Sequence, residues 1–236
     1  MSEVAEEAAS QSAALASKLN WLRAGVLGAN DGIVSIAGIV MGVAGATAES
    51  SALLIAGLAG LVAGALSMAG GEYVSVSTQK DTETAAVAEV RQSLRDDPAG
   101  ALAGLAESYE RKGLEPALAQ AVARQLMAHD ALDAQTEARL GIDAGERTSP
   151  WHAAFASLVA FTVGGVIPLL AMVLSAAPAR IWATVAAVEV ALVLTGSVSA
   201  RLGGAAPVKP AVRNVVVGTL TMALTYLVGH LVGVAV

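Results

Sequence analysis

Cysteine is absent from the 236 residues, which excludes disulfide frameworks, thiolate metal sites, iron–sulfur clusters and cysteine nucleophiles. A metal bound by this chain must be held through oxygen, imidazole or thioether. Aromatic residues make up only 3% of the sequence and charged residues only 14%, so an aromatic-rich soluble core is excluded and the charge falls well below that of an ordinary water-soluble domain. Basic residues are outnumbered, 14 Lys and Arg against 20 Asp and Glu, and the pI is near 5.0. No basic patch rises above that background, so nucleic acid is not an expected partner. With three histidines and no Gly-rich phosphate loop, His-Glu-x-x-His pair or Gly-x-Ser-x-Gly elbow, the sequence shows no enzyme machinery.

What is present is apolar. Hydrophobic residues reach 55%, the mean hydropathy is +0.63, and 24 glycines accompany Ala, Val and Leu, the composition of closely packed membrane helices. A bilayer core about 30 Å thick needs roughly 20 apolar residues of helix. Five such runs occur, at about residues 24–46, 51–77, 152–175, 181–203 and 212–236. The sequence therefore divides into an acidic N-terminal tail (1–20), two spans (21–78), a polar insert (79–150) and three spans (151–236). The expected fold is all-α and polytopic.

Glu3, Glu6 and Glu7 precede any positive charge, and no apolar run lies in the first 20 residues, so a signal peptide is not expected there. All but one of the 14 Lys and Arg, the exception being Arg180, fall on one side of the expected membrane. By the positive-inside rule the N-terminus and insert are then cytoplasmic and the C-terminus lies outside. Within the insert, Val87, Val90 and Leu94, then Leu102, Leu105 and Tyr109, then Leu118, Val122 and Leu126 recur at helical spacing, which predicts three amphipathic helices. Asp97-Pro98 and Gly113 separate them, and Pro116 suits a first helical turn.

Three carboxylates stand where a membrane makes them expensive, at about 2.5–3.5 kcal/mol each on insertion scales. Asp31 lies within the first span between Asn30 and Gly32 and is a candidate cation or proton site, or a buried structural acid. Glu72 follows Met68 by four residues, so the two share a helix face. A carboxylate beside a thioether suits a first-row divalent metal better than calcium or magnesium, which want oxygen alone. Glu189 lies mid-way along the fourth span, with His230 of the fifth as a candidate partner, in a proton relay or a structural pair. His129 and His152 read as surface or interfacial histidines. Small residues four apart, Gly28/Gly32, Gly38/Gly42, Gly60/Gly64 and Gly229/Gly233, mark close helix packing, and one of them is a candidate dimer seam.

The run Trp21-Leu22-Arg23-Ala24-Gly25-Val26-Leu27-Gly28-Ala29-Asn30-Asp31-Gly32-Ile33-Val34-Ser35, and then Ala63-Gly64-Ala65-Leu66-Ser67-Met68-Ala69-Gly70-Gly71-Glu72-Tyr73-Val74-Ser75, closely resembles bacterial members of the vacuolar iron transporter family. The likeness continues through Gln79-Lys80-Asp81-Thr82-Glu83, Ala128-His129-Asp130-Ala131-Leu132 and Gly165-Val166-Ile167-Pro168-Leu169-Leu170 into Leu224-Thr225-Tyr226-Leu227-Val228-Gly229. The resemblance implies a homodimeric, five-span carrier in a bacterial inner membrane that exports ferrous iron, and often manganese, in exchange for protons. It needs no resident cofactor. On that resemblance Asp31 and Met68 line the path and Glu72 belongs to the bacterial Gly-Glu-Tyr variant of the motif; Asp31 and Glu72, with Glu189 from its place in the fourth span, are the candidates for proton coupling.

One departure stands out. The family gathers metal on glutamates of its cytoplasmic helices, and the matching positions here hold Val90, Ser93, Ala101, Gly104 and Arg139. None is a carboxylate. The sequence thus leaves two expectations: a metal carrier whose insert has lost its glutamate ligands, or a membrane scaffold or regulatory protein that keeps the fold without transporting.

Overall fold

The computed structural model describes residues 25–141, 149–204 and 206–235; the acidic tail at 1–20 and the Trp21-Leu22-Arg23 opening of the first motif lie outside them. Every regular element among the described residues is a helix. They are α1 (Gly25–Ala46), then α2 (Ser50–Asp96), α3 (Pro98–Arg111), α4 (Pro116–Leu140), α5 (Pro150–Leu174), α6 (Arg180–Leu202) and α7 (Val208–Ala235). α1, α2, α5, α6 and α7 are long and apolar enough to cross a membrane. The fold is the all-α, five-span architecture that the hydropathy of the sequence implies. Two compact units divide the chain, residues 75–148 forming the second and the rest the first.

In the first unit the core draws on all five helices. Ile33, Ile36 and Val40 of α1, Leu53 and Leu61 of α2, Phe161 and Met172 of α5, Val188 and Leu192 of α6 and Met222 of α7 are buried together. Leu27, Ile55, Val163, Leu174 and Leu220 are exposed instead, an arrangement that water would penalise and lipid does not.

Glycine sets how closely α1 meets its neighbours. A Cβ on Gly32 would strike the Phe161 carbonyl of α5, and one on Gly229 of α7 would strike the Gly42 carbonyl of α1, so these crossings are backbone against backbone. The partners of Gly28, Gly38, Gly60, Gly64 and Gly233 likewise belong to this same chain. All four glycine pairs noted in the sequence have close neighbours within the chain.

At one end of this unit Arg180, the first residue of α6, is buried and donates to the Ala48 carbonyl at 3.2 Å and to Ser50 Oγ at 3.2 Å. The guanidinium thereby ties the short α1–α2 connection to the start of α6. Charge-assisted donation to a carbonyl is among the stronger single contacts available here.

The second unit begins where α2 runs on past Val74 without a break. α2 stops at Asp96 because Asp97 caps the next helix: its side chain accepts the Gly100 N–H at 2.8 Å, and Pro98 occupies the first turn, where its missing N–H is no loss. Gly113 adopts φ 99° and Gly141 φ 66°, left-handed values that favour glycine at these turns. α4 bends at Asp130 (φ −149°, ψ 103°), whose carboxylate accepts the Asp133 N–H at 2.9 Å and restarts the helix as an N-cap would. Leu105, Ala106, Ala123 and Ala134 form the small core, and buried Gln135 donates to the Ala101 carbonyl at 2.6 Å. Val90 and Ala101 are buried in this unit, whereas Arg139 is exposed.

Candidate functional site

Asp31, Ser35 and Ile39 recur every four residues and so form one stripe of α1. They line a groove of about 460 Å³ with Gly60, Ala63, Gly64, Ser67 and Met68 of α2 and Phe161 of α5. At about 30 Å³ of liquid volume per water, the groove admits an ion and several waters. Ile39 lies over Gly60 at one end, and because α1 and α2 run in opposite directions Asp31, Ser67 and Met68 line the other. One end is polar and the other apolar.

The floor of the groove is Phe161, which is buried. Its ring occupies the space a Cβ on Gly64 would need, and its backbone lies against Gly32. Two glycines, one on each wall, therefore admit an aromatic ring from a third helix. The opposite side of the groove is open, and Asp31 lies exposed there.

The carboxylate is not bare. Ser35 Oγ donates to Asp31 Oδ1 at 2.8 Å, leaving the second oxygen available to a ligand. Met68 is half-buried on the facing wall. A carboxylate, two hydroxyls and a thioether form a mixed hard and soft donor set, the type that first-row divalent ions accept and that calcium and magnesium do not favour. Among the described residues no three or more His, Asp or Glu side chains gather as a metal site, in this groove or outside it.

The structure brings Asp31 and Met68 into one groove. Glu72, one turn beyond Met68, is half-buried but is not among the groove's lining residues. Glu189 is partnered differently from the pairing entertained with His230: it accepts from Thr219 Oγ1 of α7 at 3.3 Å, while His230 stacks on Tyr226 with ring centroids 6.5 Å apart. Thr219 and His230 are separated by about 16 Å of helix at 1.5 Å per residue, which removes His230 from reach. His129 and His152 are exposed. Tyr73 and Trp151, with ring centroids 4.7 Å apart, pack where α2 leaves the first unit and α5 enters it.

A sequence model of the VIT family matches residues 22–230. The chain belongs to the VIT family. A vacuolar iron transporter of Acanthamoeba castellanii is 45% identical over 214 residues, which is 89% of this chain and 78% of the relative. Vacuolar iron transporter homolog 5 of Oryza sativa subsp. japonica is 39% identical, over 90% of this chain and 80% of its own length, and vacuolar iron transporter homolog 2.1 of Arabidopsis thaliana is 35% identical, over 92% and 84%. These relatives are named as transporters and not as enzymes. The VIT-family match takes in every residue of the groove and the whole of the second unit.

Of the residues lining this groove, the sequence alone singles out Asp31 and Met68 but not Ser35, Ser67 or Phe161. Ser35 had a signal, since a residue four after Asp31 shares its face. Phe161 had none, because nothing in one sequence states which residue of a distant helix fills the space that two glycines leave.

Proposed function

We propose that this protein carries ferrous iron, manganese or both out of the cytoplasm in exchange for protons, and that the ion passes through the groove at Asp31 and Met68. The carrying observation is that single groove: a carboxylate held by a hydroxyl, opposite a thioether, in the membrane-spanning unit of a chain whose relatives are named iron transporters. Asp31 accepts either a proton or a cation, so the two compete for one site; loading is favoured where protons are scarce and release where they are abundant. Glu72 and Glu189 are the further carboxylates available to the proton.

A homodimer suits the same groove. Asp31 lies on its open side, where lipid would be a costly neighbour for a carboxylate, and a second copy laid against this face would cover it. The charge distribution supports a cytoplasmic N-terminus and insert, with Arg180 near the far side. The chain's membrane is that of a bacterium on the resemblance of its motifs.

Val90, Ser93, Ala101, Gly104 and Arg139 support an insert without the family's glutamate ligands, and that loss is the one observation favouring a scaffold that no longer transports. The intact groove favours transport. Uptake of ferrous iron and manganese into proteoliposomes under an imposed pH gradient separates the two: saturable uptake that vanishes when an ionophore collapses the gradient is expected. Vesicles that take up no more of either ion than protein-free controls would overturn the transporter in favour of the scaffold.

A further inference from the structure

Hydroxyls in the spanning helices of this chain have a common habit. Thr162, Thr184, Thr195, Thr221 and Thr225 each donate to a backbone carbonyl three or four residues earlier, the usual refuge of a hydroxyl in an apolar helix. Three hydroxyls break the habit: Ser51, at the start of α2, donates to Glu49 Oε1, and two others lie further inside the spans. Ser35 donates to Asp31 Oδ1 at 2.8 Å and Thr219 to Glu189 Oε1 at 3.3 Å. Each serves a carboxylate that the membrane would otherwise leave without a donor.

Of the two, only Ser35 lines the groove. An alternative acceptor, the Asp31 carbonyl, lies four residues back in the same helix, yet the hydroxyl is turned to the side chain. We propose that Ser35 is a positioning residue of the cation site, holding the Asp31 carboxylate in the groove through Oδ1 so that the other oxygen meets the ion. The inference rests on the cation-carrying reading above and adds a residue to it.

The physical reason is preorganisation. An aspartate on the open side of a helix pair has two side-chain torsions to fix before it can bind, and a hydrogen bond formed in advance removes that ordering from the binding step. Hydrogen bonds to charged groups are among the stronger ones. With the hydroxyl gone, the ion itself must order the carboxylate. Affinity then falls while the movement of a bound ion is unaffected.

The test compares the full chain with Ser35→Ala and Ser35→Thr in proteoliposomes, reading uptake of ferrous iron and, separately, of manganese against the concentration of each ion. Ser35→Ala is expected to raise the half-saturating concentration about five- to tenfold with the maximal rate within about twofold. Ser35→Thr keeps a hydroxyl at the same place and is expected to restore the parental value. Saturable uptake in the parent with an unchanged half-saturation in Ser35→Ala overturns the role of Ser35 and leaves the transporter standing. Equal impairment in Ser35→Ala and Ser35→Thr overturns it too, because that is the signature of packing and not of the hydroxyl. No saturable uptake in the parent overturns the cation-carrying reading, and this inference with it.

Discussion

The proposed cation route gives Asp31 and Met68 different work in the groove, and substitution separates them. Met68→Leu keeps the volume and flexibility of the side chain but removes the polarizable sulfur. The expected result is a chain that melts at the parental temperature and needs about tenfold more manganese or iron for half-maximal uptake, since a soft donor has been lost from the set. An unchanged concentration dependence would make Met68 a packing residue. The glycines divide in the same way. Gly32→Ala drives a methyl group into the Phe161 carbonyl, backbone that no rotamer change can move aside, so a marked fall in melting temperature in detergent is expected. Gly70 has nothing within 4 Å of a would-be Cβ, and Gly70→Ala is expected to leave the melting temperature equal or slightly higher through helix propensity. Equal melting of the two variants would contradict the close crossing of α1 and α5.

Helix limits were legible where chemistry marks them. The Asp97-Pro98 pair ends α2 and opens α3, and the cap is explicit in the bond from Gly100 N–H to the Asp97 carboxylate. Asp97→Ala is expected to weaken that end by about 1 kcal/mol; hydrogen exchange on the full chain checks it, with the Gly100 amide exchanging about fivefold faster and α7 amides unchanged. Unchanged exchange at Gly100 would mean that the cap contributes nothing. Asp130 was harder to read, because Ala128-His129-Asp130-Ala131-Leu132 looks like continuous helix and only the backbone shows that its carboxylate restarts α4. The pairing of Glu189 was harder still. Two antiparallel helices can slide by whole turns without changing their composition, so one sequence could not say whether Glu189 faces Thr219 or His230.

Across the whole molecule, the hydropathy of five runs fixes the architecture, since in lipid a helix is the only open segment that satisfies its own backbone. In the second unit Val90 and Ala101, two positions where the resemblance leads to an expectation of glutamate, are buried. Assembly is open to a direct test because the chain has no cysteine, so any single introduced cysteine reports alone. Ile39→Cys at the rim of the groove is expected to give an oxidised dimer in membranes, whereas Val198→Cys on α6, also exposed, is expected to remain monomeric. Cross-linking at Val198 and none at Ile39 would move the seam away from the groove.

The groove stands or falls on its carboxylate. Asp31→Asn keeps the shape of the side chain and an oxygen for the Ser35 hydroxyl while removing the charge, and gradient-driven uptake of manganese and ferrous iron into proteoliposomes should disappear although the variant elutes and melts like the parent. Uptake by Asp31→Asn at the parental rate would mean that the ion takes another route through the molecule.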